Sequence, residues 1–161
     1  LFMCGMHTLD SCRIEKAFRH FGHDISNEDH VIEAGLGFAV KGNKENNKFG
    51  KFIGFEAVKK KQDTGVSRRL LQFRLTNPQP LLFHNEAILR DGKTVGYLTS
   101  GAYGHYLKGA IGLGYVPCSQ IGETLEDQLK SNYQIDVAGQ LFDSEISFEP
   151  LYDPRGVRIR Q

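Results

Sequence analysis

Three histidines, His20, His23 and His30, lie close enough in the chain to raise the question of a metal centre. His20 and His23 straddle the end of an expected helix, and no carboxylate or cysteine completes a ligand spacing that zinc would use. Solvated or helix-capping histidines are therefore expected. Ser100-Gly101-Ala102-Tyr103-Gly104-His105 is rich in glycine, yet it lacks the lysine of a phosphate-binding loop and the strand-then-helix frame such a loop requires. A tight turn of a β-structure is expected there. Cys4, Cys12 and Cys118 are an odd number with no C-x-x-C spacing, which predicts free thiols in a reducing compartment and no structural zinc. There is no G-x-S-x-G, and spacing singles out no Cys-His pair, so generic motifs yield no catalytic centre.

Arg69 is physically odd. It shares strand parity with Leu71, Phe73 and Leu75, so a permanently charged fork is aimed toward the apolar side. Burying it alone is too costly, and it must be paired or point into a cleft. It is either an anion contact or a strand start whose side chain reaches water.

The elements that must position these residues change character along the chain. Ile14, Ala17, Phe18 and Phe21 fall at i, i+3, i+4 and i+7 and predict an amphipathic helix over 10–21. Asp10 is its expected N-cap, Glu15 and Arg19 its i,i+4 pair, and Gly22 its left-handed terminator. A short apolar run, 34–40, precedes a polar segment, 42–51, expected to be a mobile turn. A short helix is expected over 54–62, with its lysines near the end that the macrodipole makes favourable for cations, so that none needs a partner.

From Ser67 the period becomes that of strands. Residues 86–90 and 94–99 flank Asp91-Gly92, a type I′ hairpin sequence because both central residues tolerate positive φ. Ala110, Gly112 and Gly114 alternate with Ile111, Leu113 and Tyr115, as in an interior strand with one face open to close approach. Residues 133–137 and 141–147 close a last hairpin around Ala138-Gly139-Gln140, and Pro78-Gln79-Pro80 belongs to a connecting loop. About six strands with short turns predict a barrel or sandwich.

The 161 residues, 40% hydrophobic, suit one domain or a small domain with the tail of another. A net charge of +1, with basic residues scattered apart from Arg68-Arg69 and Lys59-Lys60-Lys61, leaves no electrostatic footprint for nucleic acid. Apolar runs are far shorter than the roughly 20 residues of a membrane span, so a membrane partner is not expected. Leu1-Phe2-Met3-Cys4-Gly5 shows no initiator methionine and no signal-peptide core, and is expected to be a cut end from which compartment cannot be read.

Three blocks, residues 10–25, 33–40 (Glu33-Ala34-Gly35-Leu36-Gly37-Phe38-Ala39-Val40) and 52–57 (Phe52-Ile53-Gly54-Phe55-Glu56-Ala57), resemble successive blocks of the aminomethyltransferase family, the T-protein of the glycine cleavage system and its relatives. Residues 92–105 and 111–117 are similar to the C-terminal barrel of that family. Arg13-Ile14-Glu15-Lys16, the block His20-Phe21-Gly22-His23-Asp24-Ile25 and Leu151-Tyr152-Asp153-Pro154 look more like the dimethylglycine and sarcosine dehydrogenase branch than like stand-alone T-proteins. Leu9 stands where T-proteins carry a folate-contacting arginine, which puts that contact in doubt.

The resemblance implies an α+β chain: 1–66 as the end of a tetrahydrofolate-binding domain and 67–161 as an antiparallel β-barrel. It implies upstream flavin and folate domains as partners, FAD held there, and a small N-methyl amine as substrate. The one-carbon unit would be captured as 5,10-methylene-tetrahydrofolate. The family's catalytic carboxylate maps before Leu1, so no catalytic residue is expected in this stretch, which would be inactive alone. Three positions match family residues that approach folate: Phe38, in place of a tryptophan, Arg69 and Tyr152; the competing role is core packing for Phe38 and packing against the barrel for Tyr152. Glu15 and Arg13 are expected to orient the helix through ion pairs. The compartment implied is cytoplasmic, or the mitochondrial matrix in a eukaryote. A stand-alone aminomethyltransferase and a non-catalytic barrel for domain contact are the alternatives.

Overall fold

A computed structural model describes residues 3–40, 52–120 and 122–160. The expected turn at 42–51 lies outside them. The elements run α1 (Met6–Glu15), α2 (Phe55–Thr64), β1 (Arg68–Leu75), β2 (Ala87–Arg90), β3 (Lys93–Gly104), β4 (Gly109–Pro117), α3 (Leu125–Leu129), β5 (Tyr133–Val137) and β6 (Gln140–Ser147), with 3-10 turns at Gly37–Ala39 and Arg158–Arg160.

The strands form a closed barrel in the order β1-β4-β3-β2-β5-β6, every pairing antiparallel. Closure comes from β1, which pairs with β4 from Arg68 to Arg74 and with β6 from Gln72 to Leu75. Both predicted hairpins form. Asp91 and Gly92 have φ of 51° and 77°, and Ala138 and Gly139 have 53° and 83°, the doubly positive backbone of a type I′ turn.

The barrel interior holds Leu71, Phe73, Leu75, Leu82, Ile88, Leu98, Ala110, Val116, Tyr133 and Ile135. Gly112 and Gly114 of β4 face inward and leave room for neighbouring side chains. A Cβ on Gly114 would lie 2.6 Å from Ile88 Cδ1, and one on Gly112 would lie 2.9 Å from Leu98 Cδ1.

The opposite parity of β1 and β4 is buried too. Leu70, Ile111 and Leu113 pack on Ile14 and Ala17, so the N-terminal segment covers the outer face of β1, β4 and β3.

Several local expectations are corrected. The first helix ends at Glu15, with Gly5 and not Asp10 at its N-cap. Ala17 takes a left-handed φ of 54°, and Phe18 N–H donates to Arg13 O at 2.8 Å while Ala17 N–H donates to Ile14 O at 2.9 Å. That is a Schellman ending built on alanine, and the apolar period runs on past it to the exposed Phe18 and Phe21. The Glu15–Arg19 pair is replaced, as Arg19 donates to Ala34 O and Ala17 O.

The second helix extends to Thr64, and Lys61 does have a partner, Glu33. Ser100–Gly104 is the body of β3 and not a turn; the tip follows at 105–108. Helix α3 has no counterpart among the expected elements, although Thr124 caps it by accepting from Asp127 N–H at 3.1 Å.

Candidate functional site

The seam between the N-terminal segment and the barrel collects most of the buried charge. A register shift between Leu98 and Ser100 places the consecutive Thr99 and Ser100 on one outer face, as a β-bulge does. Both reach the same ion pair. Arg13 binds Asp24 at 2.7 Å and donates to Ser100 Oγ at 2.8 Å, and Thr99 donates to the other Asp24 oxygen at 2.6 Å. The Asp24 side chain is 0% exposed. Arg13 also holds Asp10 at 2.7 Å, so its expected helix-orienting role extends across the seam.

Two clefts flank this pair. One, of about 420 Å³, gathers His7, His23, His84 and His105 with Tyr103. The other, of about 490 Å³, is lined by Asp29, Arg68, Tyr97 and Tyr115, and shares His23, His84 and Thr99 with the first. Burial pushes the Tyr115 phenol up, so it stays protonated. Among the described residues no group of three His, Cys, Asp or Glu side chains is placed to hold a metal ion.

A second junction forms around Glu33, where the chain passes into the barrel. Its carboxylate accepts from Lys61 Nζ (2.7 Å), Ser67 Oγ (2.7 Å), Ser67 N (3.2 Å) and Arg68 Nε (3.2 Å). Burial opposes the charge, but the bonds from Lys61, Ser67 and Arg68 outweigh it and hold the carboxyl down at about 2. A depressed carboxylate stabilises the fold above its unfolded pKa and loses that contribution as pH falls through the folded value. Stability should therefore drop by roughly 2–3 kcal/mol between about pH 4.5 and 2, and Glu33→Gln should flatten that part of an acid-unfolding curve.

Of the three residues matched to folate contacts, Arg69 and Tyr152 lie at opposite ends of the barrel. Phe38 projects from the 3-10 turn at 84% exposure, so it is not core. Arg69 points into the end of the barrel, as its parity demands. Its Nη1 donates to Cys118 Sγ (3.1 Å) and Gln128 Oε1 (3.0 Å), and its Nη2 to Glu123 O (2.8 Å). The odd charge is thus held at intermediate exposure by neutral acceptors of the β4–α3 connection, and among the described residues no carboxylate pairs with it.

Tyr152 lies at the other end of β4. Arg69 is opposite Val116, whereas Tyr152 packs edge to face on Tyr106 of the β3–β4 tip with centroids 4.5 Å apart. Seven residues of strand, about 23 Å, separate the two ends.

Sequence reasoning missed Asp24, Thr99, Ser100, Tyr106 and Arg158. Asp24 and Thr99 meet only through tertiary structure. The adjacent Thr99-Ser100 pair signals nothing unless the bulge is known.

Residues 68–153, just over half of the chain, match the family described as the glycine cleavage T-protein C-terminal barrel domain, and residues 1–44 match the GCVT N-terminal domain. The chain is 36% identical over 160 residues to a 4-methylaminobutanoate oxidase (formaldehyde-forming) of Paenarthrobacter nicotinovorans, covering 99% of this chain and 18% of the oxidase. It is 30% identical over 161 residues to human mitochondrial sarcosine dehydrogenase, covering 99% of this chain and 17% of the dehydrogenase. Among solved structures, the glycine cleavage system aminomethyltransferase T from Bartonella henselae has the same fold, with a TM-score of 0.68 at 24% identity over 88% of this chain and 37% of that one. The chain spans less than a fifth of the length of the oxidase and dehydrogenase relatives. It belongs to the glycine cleavage T-protein family, and residues 68–153 are the C-terminal barrel domain of that family.

Proposed function

We propose that this chain is the folate-side, C-terminal part of a flavin-dependent oxidoreductase that demethylates N-methylated glycines, of the dimethylglycine and sarcosine type, and passes the one-carbon unit to tetrahydrofolate. The observation that carries this reading is the extent of the match. The likeness to sarcosine dehydrogenase runs through α1, the seam and the whole barrel, over 99% of the chain. In a eukaryotic host the compartment would be mitochondrial, as in the dehydrogenase's name, and on this reading the matrix. Among the described residues no helix is long and apolar enough to cross a membrane.

The residues present fit part of tetrahydrofolate. Phe38 offers an open aromatic face of the kind a pterin or aminobenzoate ring stacks on. Tyr152 offers a partly exposed phenol, with Arg158 lying over its ring 5.7 Å from the centroid. When bound, tetrahydrofolate supplies the two nitrogens that capture a one-carbon unit. The part of this chain is to form one wall of its pocket and to hold that wall in register through Arg13, Asp24 and Glu33. The dinucleotide fingerprint is absent from this sequence, and on this reading FAD would be held upstream.

A second reading is favoured by the 36% identity to an oxidase named for a longer amino acid and for release of formaldehyde. The two separate on the complete enzyme, assayed with sarcosine, dimethylglycine and 4-methylaminobutanoate and an electron acceptor. Turnover of the N-methylglycines is expected. Preference for the longer amino acid would favour the second reading, and activity solely in glycine cleavage would overturn both. The isolated chain is expected to bind no flavin and to turn over none of these amines.

A further inference from the structure

Glu15 ends α1 and is 7% exposed. One carboxylate oxygen, Oε1, accepts two consecutive main-chain N–H groups at the β3–β4 tip, from Tyr106 at 2.8 Å and Leu107 at 2.9 Å. Its main-chain carbonyl accepts from Gln72 Nε2 at 3.2 Å and from Tyr152 N at 3.4 Å. Gln72 in turn accepts from Leu151 N at 2.7 Å, and the adjacent Lys16 binds Asp153. By its side chain Glu15 holds the loop that carries Tyr106, and by its backbone the segment that carries Tyr152.

The two rings so held meet edge to face, and the Arg158 guanidinium lies over both, 5.0 Å from the Tyr106 centroid. Gly104 keeps the space open, since a Cβ there would lie 2.9 Å from Glu15 Oε1. Hydrogen bonds to a carboxylate are roughly twice as strong as neutral ones, so this pair fixes the tip. Without it the tip relaxes, and Tyr152 loses the ring that orients it.

We propose that Glu15 is a positioning residue for tetrahydrofolate, acting through Tyr106 on Tyr152, an inference that rests on the folate reading above. The test is calorimetric titration of tetrahydrofolate into the complete enzyme and its variants. Glu15→Ala should raise the Kd roughly five- to twentyfold by loss of preorganisation. Glu15→Gln, whose amide oxygen can still accept both N–H groups, should stay within about threefold of the parent. Tyr106→Ala removes a ring that is 53% exposed, should reproduce the rise, and decides the matter if Glu15→Ala does not fold.

An unchanged Kd in Tyr152→Ala would remove Tyr152 from the folate wall and the positioning role with it. A weakened Tyr152→Ala beside unchanged Glu15→Ala and Tyr106→Ala would overturn the positioning role alone. Glu15→Gln binding as weakly as Glu15→Ala would also overturn it, because acceptance of the two N–H groups would not be what matters.

Discussion

Replacing Arg13 by alanine should destabilise the protein by about 3–5 kcal/mol, because it strands a buried charge. Asp24 has 0% side-chain exposure, and among the described residues its charge then keeps the bonds from His20 N and Thr99 Oγ1 alone. Arg13 also loses Asp10, Phe18 O and Ser100, so the C-terminal turn of α1 loosens with it. The double replacement Arg13→Met with Asp24→Leu should recover much of the loss, because a buried pair exchanged for apolar packing is often neutral or better. Urea unfolding of the two variants checks both statements. A loss below about 1 kcal/mol for Arg13→Ala would mean that water reaches the pair and that the seam is not dry.

Arg69→Lys should lower stability by about 1.5–3 kcal/mol while leaving tetrahydrofolate affinity within about twofold. The guanidinium fork bridges a thiol, a side-chain amide and a main-chain carbonyl on the β4–α3 connection, and a lysine ammonium cannot span all three. Gln128, one of those acceptors, is fully buried and also donates to Val116 O, so the loss spreads to the closure of the barrel end. Melting temperature and folate titration of the same variant separate the roles. Affinity lost at unchanged stability would return Arg69 to the folate wall.

The barrel is legible in the sequence because its signals are local. Asp91-Gly92 can turn with two positive φ angles, Gly139 marks the last turn, and the alternation in β1 and β4 assigns faces residue by residue. The end of helix α1 is not legible, because Ala17 adopts a left-handed backbone that alanine seldom takes, and nothing in an apolar period marks such a residue. That Arg69 must be paired or in a cleft follows from its charge and parity, but its partners, Cys118, Glu123 and Gln128, lie far along the chain and include a main-chain carbonyl that no sequence pattern reveals. Helical spacing pairs Glu15 with Arg19. The structure instead gives Glu15 two N–H groups from a hairpin more than ninety positions away, a contact fixed by the register of β3 on β4 and not by neighbours in sequence.

Transfer of the one-carbon unit to tetrahydrofolate is best tested by following the methyl carbon. Sarcosine labelled with carbon-13 in its N-methyl group, given to the complete enzyme with tetrahydrofolate and an electron acceptor, should deliver the label to 5,10-methylene-tetrahydrofolate. Little free formaldehyde should appear until tetrahydrofolate is withheld. Label released as formaldehyde to the same extent with and without tetrahydrofolate, or no oxidation of sarcosine at all, would rule out a folate-coupled demethylation of N-methylglycines.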